Sequence, residues 1–160
     1  MRQSFRTGLS FGLTSGAITT LGLMVGLHSG THSTLAVVGG IIAIAIADAC
    51  SDALGVHIAE ESRTETDARA VWEATASTLL TKAVIALTFL VPVLLLELDT
   101  AILASVLWGV VLVAGLSYRM ARAQGASPVG AVSEHVVITL VVVALTHYVG
   151  DWVAATFGAR

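Results

Sequence analysis

The chain has 160 residues, of which 56% are hydrophobic and 12% charged, with a net charge of −3 and a mean hydropathy of +0.88. A soluble domain carries about 25% charged residues, so this chain is too poor in charge to cover a water-facing surface. The same numbers exclude a disordered chain and a strongly basic nucleic-acid binder, which leaves an all-α integral membrane protein held in a lipid bilayer.

A bilayer core about 30 Å thick requires about 20 mostly apolar residues per helix. Runs of that kind fall at 8–28, 35–58, 76–96, 101–118 and 129–149, forming a single transmembrane domain with short connections and no internal repeat. None shows the alternation over about ten residues that marks a β-barrel strand. The first run follows Arg2 and Arg6, as a signal peptide would, but it is long for such a segment and no A-x-A cleavage site follows it. It therefore reads as a span. Arg2 and Arg6, then Arg63 and Arg69, then Arg119 and Arg122 fall on alternate connections, whereas 29–34 and 97–100 contain neither Lys nor Arg. The positive-inside rule gives an N-terminus inside and a C-terminus outside, with only Arg160 on the far side.

Span 1 carries Gly8, Gly12, Gly16, Gly22, Gly26 and Gly30, a small-xxx-small spacing that lets helix backbones approach closely. The row serves packing within one bundle or a homodimer interface, and five helices make a thin enclosure for a polar path, which favours the homodimer. Span 2 carries two carboxylates, Asp48 and Asp52. Ionisable groups inside a span are costly and mark functional interiors. Four residues apart, the two share one helical face, about 6 Å from each other along the axis. Such a pair binds a hard or borderline cation through oxygen, or holds an exchangeable proton. Cys50 is the only cysteine; it forms no internal disulfide and lies about 200° around the helix from Asp48.

Lys82, the only lysine, lies in span 3 about 12 Å deep, close to the depth of about 9 Å for Asp52. An Asp52–Lys82 ion pair is thus the structural reading, leaving Asp48 near mid-membrane as the functional carboxylate. On the inner connection, Ser62-x-x-Glu65 reads as a capping box opening a helix that runs into span 3, with Glu65, Arg69 and Glu73 as a solvated i, i+4 ladder. The functional alternative there is a cation-collecting mouth made of His57, Glu60 and Glu61. Glu134 and His135 at the inner boundary, and His28, His32 and His147 at the outer one, read as interfacial residues, the three histidines alternatively as a metal exit site.

Gly12-Leu13-Thr14-Ser15-Gly16-Ala17-Ile18-Thr19 and Ala47-Asp48-Ala49-Cys50-Ser51-Asp52-Ala53-Leu54-Gly55 resemble the vacuolar iron transporter family. That family shows a G-L-x-D-G-x-x-T stretch in helix 1 and an A-D-x-x-S-M-x-x-G stretch in helix 2. Thr146-His147-Tyr148-Val149-Gly150 resembles the family's last helix, and the similarity runs from about Gly8 to Gly150. It implies five helices, a cytosolic N-terminus, a homodimer, and export of ferrous iron or manganese from the cytosol by proton antiport. Ser15 stands where the family has aspartate, Asp52 where it has methionine, and Ile44 where it commonly has glutamate. The segment 59–75 replaces the family's long metal-binding helices.

Together these readings predict a divalent-cation and proton transporter, not an enzyme, with no resident cofactor, multi-pass in a prokaryotic plasma membrane. Asp48, Asp52, Ser15 and Thr19 are the expected metal ligands, with Met24, His57, Glu60 and Glu61 as weaker candidates. Oxygen in place of thioether shifts the preference towards harder cations such as manganese. The alternative is a membrane interaction protein that keeps the fold without transporting. An intramembrane enzyme finds little support, since no H-E-x-x-H or G-x-S-x-G occurs. The topology is tested by reporter fusions: green fluorescent protein at the N-terminus should fluoresce and alkaline phosphatase at the C-terminus should be active. The reverse pattern overturns the orientation.

Overall fold

The computed structural model describes residues 3–63 and 67–158, so Arg2, Glu65 and Arg160 lie outside the described residues. Five helices are long and apolar enough to cross a membrane: α1 (Gln3–Thr31), α2 (Thr34–Glu61), α3 (Ala68–Leu95), α4 (Leu98–Ala123) and α5 (Pro128–Phe157). Four cover their expected spans and run further at both ends; α3 starts eight residues before its span and stops at Leu95, one residue short of its end. The all-α expectation is met. Short turns join consecutive helices, so α2–α3 and α4–α5 connect at the end carrying the N-terminus, and α1–α2 and α3–α4 at the opposite end.

α1 is the central post, packed against each of the other four helices. Its glycines explain how. Gly8, Gly12 and Gly16 lie against α3, where a Cβ on Gly12 would meet Thr78 O at 2.7 Å and Lys82 N at 3.1 Å. Gly22, Gly26 and Gly30 lie against α5, and Gly150 of α5 answers them, its own Cβ position falling 2.5 Å from Gly26 O. The row is therefore used within the chain, α3 taking one half and α5 the other. The apolar core gathers Leu21 and Met24 of α1, Val37 and Ile41 of α2, Phe89 and Val93 of α3, and Ile102 and Val113 of α4. α5 places only Thr139 and Gly150 in fully buried positions, and presents Val137, Leu145, Tyr148 and Trp152 outward, as a helix bordering lipid does.

Two of the five helices are interrupted. In α2 the buried positions Val37, Ile41, Ala45, Ala49 and Ala53 recur every fourth residue, whereas an α-helix turns every 3.6. Over that stretch a regular helix would carry the stripe about 160° out of register, and one extra residue in a turn recovers about 100° of it. The extra residue is taken up at Ile44–Asp48, a single π-helical turn, and the Ala49 N–H reaches back to Ile44 O. In α3 the regular helix ends at Thr88 and resumes at Leu90. Pro92 is the cause: it has no N–H for the Thr88 carbonyl, and its ring crowds that oxygen. Thr88 Oγ1 instead donates to Ile85 O and accepts from Trp108 Nε1 at 3.1 Å.

Ser62 does not open α3. It closes α2, its N–H bonding Ile58 O and its hydroxyl donating to Ala59 O at 2.8 Å. The start of α3 is capped by Asp67, whose carboxylate accepts from the Arg69 N–H, because an Asp immediately before the first helical residue satisfies the free amides of the first turn. The Arg69–Glu73 rung of the expected ladder forms at 3.1 Å.

The glycine packing predicts unequal responses to the same substitution. Gly12→Ala must push α1 from the α3 backbone and should lower stability by about 1–3 kcal/mol. Gly39→Ala, with nothing within 4 Å of the new Cβ, should be neutral or stabilising by up to about 1 kcal/mol. Thermal unfolding of both variants in detergent reads the difference, and equal melting temperatures contradict it.

Candidate functional site

Lys82 is fully buried in the middle of α3, where a charge without partners is not tolerated. Gly12 and Gly16 flank its backbone on α1, at 3.1 Å from Lys82 N and 3.2 Å from Lys82 O as measured from their Cβ positions. That close approach brings Ser15, which lies between them in sequence, onto the lysine side chain. The ammonium meets three oxygens: Ser15 Oγ at 2.9 Å, Asp48 Oδ2 at 2.6 Å, and Asp52 Oδ2 in a direct ion pair and hydrogen bond. Ser15 in turn donates its hydroxyl to Asp52 Oδ2 at 2.5 Å. An ammonium has three N–H donors; two are used in hydrogen bonds to Ser15 and Asp52, and Asp48 is held as an ion pair.

The two carboxylates are held differently. Asp52 is 22% exposed and receives both the lysine and the serine. Asp48 is 38% exposed; its Oδ2 is buried beside the ammonium but at an angle that makes no regular hydrogen bond. It ends the π-helical turn, and α2 resumes regular geometry at Ala49, which keeps Asp48 and Asp52 on one face. The expectation of an Asp52–Lys82 pair is met, and Asp48, expected to stand free of it, shares the same lysine.

Each carboxylate opens onto its own groove. A groove of about 510 Å³ between α1 and α2 runs from the N-terminal end and is lined by Thr7, Phe11, Ser51, Asp52, Val56 and Glu60. A larger one of about 1020 Å³, between α1, α2 and α5, covers the opposite half; Asp48 is its one charged wall residue, and Thr19 lies beside it. Asp48, Lys82, Asp52 and Ser15 form the partition between the two.

The remaining expected residues are placed as follows. Thr19 donates its hydroxyl to Ser15 O at 2.6 Å and lies in the wall of the Asp48 groove. Met24 is fully buried in the apolar core. Glu60 is buried at the mouth of the Asp52 groove, with Arg63 at 3.4 Å; Glu61 is exposed. His57 hydrogen-bonds Thr75 Oγ1 at 3.0 Å and stacks edge-on against Trp72, so it braces α2 against α3. His135 pairs with Ser117 at 2.7 Å. At the far end His28 pairs with Asp99 at 3.3 Å, and His147, 3.5 Å from Asp151, contacts Ser29, so the last helix does reach the end of α1. Among the described residues no three His, Cys, Asp or Glu side chains gather into a metal-holding group.

What sequence reasoning missed is the second bond of Lys82, the π-helical turn and the alignment of Glu60 with Asp52 along one groove. Only the turn left a trace, in the four-residue recurrence of small residues on α2. No protein-family model matches the chain, and no curated protein or solved structure matches it significantly.

The different anchoring of the two carboxylates is measurable. Asp52→Asn weakens a charged pair and a charged hydrogen bond and should destabilise the protein by about 2 kcal/mol, whereas Asp48→Asn should change it by less than about 1 kcal/mol. Denaturant or thermal unfolding in detergent checks the order, and a larger loss for Asp48→Asn contradicts it.

Proposed function

We propose that the chain is a membrane transporter of divalent metal cations, ferrous iron or manganese, that moves them out of the cytosol in exchange for protons. What carries this reading is the partition: two carboxylates sharing one buried lysine, each open to a groove in a different half of the bundle. A purely structural lysine needs one counter-ion. A second carboxylate, half-exposed and poorly hydrogen-bonded, adds desolvation cost without fixing the fold, which is what a binding group waiting for a ligand does.

The grooves give the cation a route. Glu60 and Asp52 lie two helical turns apart along the groove that the predicted orientation assigns to the cytosolic side, with Gly55, Val56 and Ala59 between them. A cation drawn to Glu60 passes to Asp52, then to Asp48, with Ser15 and Thr19 supplying neutral oxygens. Hard and borderline divalent cations accept that all-oxygen set and complete it with water. When the cation leaves, a proton takes its place on Asp48, the more exposed of the two carboxylates. The two interrupted helices beside the partition fit this reading, since discontinuous helices near the midplane form the binding sites of many secondary transporters. The resemblance in helices 1 and 2 to the vacuolar iron transporters supports the choice of cargo.

Proteoliposomes test this directly. Manganese or ferrous uptake should follow an imposed pH gradient and disappear in Asp48→Asn, which the anchoring leaves folded. No flux of either ion from folded wild-type protein sinks the transport reading and favours a membrane interaction protein. Normal flux in Asp48→Asn removes that carboxylate from the site.

A further inference from the structure

We infer that Lys82 is a tethered competitor of the cargo: its ammonium occupies the cation position between Asp48 and Asp52, and a transported cation binds by displacing it. The inference rests on the transport reading above and adds to it what sets affinity and release at the same site.

Three observations carry it. The ammonium is surrounded by Ser15 Oγ, Asp48 Oδ2 and Asp52 Oδ2, the same kind of oxygen cage that a hard cation takes. The ammonium is in contact with an oxygen of each carboxylate at once, so it holds the position between them. The net charge of Asp48, Asp52 and Lys82 is −1, so a divalent ion arriving beside an unmoved lysine would leave the partition at +1 in a region of low dielectric. Lys82 must therefore move off the carboxylates as cargo moves on. Its four-carbon stem permits this, because an ammonium on a flexible chain reorients more readily than a planar guanidinium. Asp48, whose bond to the lysine lacks hydrogen-bond geometry, is the side from which displacement begins.

The arrangement has two consequences for transport. Competition keeps the cargo weakly held and so releasable. After release the ammonium returns, and the empty site is never left with two unpaired buried carboxylates, a state costly enough to trap or unfold the protein.

The experiment measures manganese binding and pH-driven manganese flux for full-length wild type, Lys82→Gln and Lys82→Arg. Lys82→Gln keeps an amide donor but removes the competing charge. Its manganese affinity should rise by about tenfold or more, with slower turnover and a larger manganese-induced rise in melting temperature than wild type. Lys82→Arg keeps the charge on a bulkier, pre-shaped head that does not withdraw as readily. It should fold and bind manganese about tenfold or more weakly than wild type. If Lys82→Gln is recovered folded only when manganese is present, that dependence itself supports the competitor role; if it is recovered under neither condition, Lys82→Arg decides alone. A structural clamp predicts the opposite pattern: Arg restores wild-type binding and flux, and Gln binds no more tightly than wild type. Either of those results overturns the inference. Wild-type protein that neither binds nor transports manganese or iron instead overturns the transport reading, so the two failures are distinguishable.

Discussion

A buried ammonium in an apolar bundle dictates where three of the five helices go. Lys82 has no exposure at all, and a charge so placed must find counter-charge and hydrogen-bond acceptors or the span does not insert. The acceptors come from two helices: Ser15 of α1 and the Asp48–Asp52 face of α2. Glycine makes that geometry available. With side chains at positions 12 and 16, α1 could not press against the backbone around Lys82, and Ser15 would stand too far away to join the lysine to Asp52. The glycine row and the charged cluster are thus two parts of one device, in which close backbone approach positions the polar groups.

Burying this cluster is poor economy if stability is its only purpose. Replacement of such clusters by apolar residues of similar volume is often neutral or stabilising, and the helices already share a core of Leu, Val, Ile and Phe around α1. The π-helical turn strengthens the point. It gives up regular helix geometry at Ile44–Asp48, ending on the first of the two carboxylates, and such turns occur frequently at functional sites. The break in α3 at Phe89 lies close by, since Ile44 and Ala45 of the turn pack on Ala86. Irregular backbone is tolerated at membrane depth only where protein or a water-filled cavity satisfies it, and here the π-helical turn lines the larger groove through Ile44, Ala47 and Asp48.

Much of this was legible in the sequence, for physical reasons. Helical periodicity places Asp48 and Asp52 on one face, and the rise per residue gives Lys82 and Asp52 similar depths. Depth says nothing about direction around the axis, so the bond from Lys82 to Asp48 was out of reach. The glycine spacing announced close packing but could not name the partner, and the partners are two different helices of the same chain. The four-residue recurrence of Ala45, Ala49 and Ala53 was present as a signal for the π-helical turn, yet Ile42 and Ile46 on the exposed side mask it in an apolar run. Ser62 was misplaced because a capping box and a helix C-terminus both accept a serine, and Asp67 competes more strongly for the start of α3.

The two grooves differ in a way that gives the partition a direction. The one at Asp52 is lined with Thr7, Ser51 and the buried carboxylate of Glu60 as well as apolar side chains, which makes it the more polar of the two. The one at Asp48 is walled mainly by Ile, Leu, Val and Gly, and apolar walls disfavour water as they do in a dewetting gate. Asp52 and Asp48, about 6 Å apart along α2, therefore stand on either side of a step from polar to apolar surroundings. Lys82 stands at the step and contacts both carboxylates, so any cation crossing it does so at the lysine's expense.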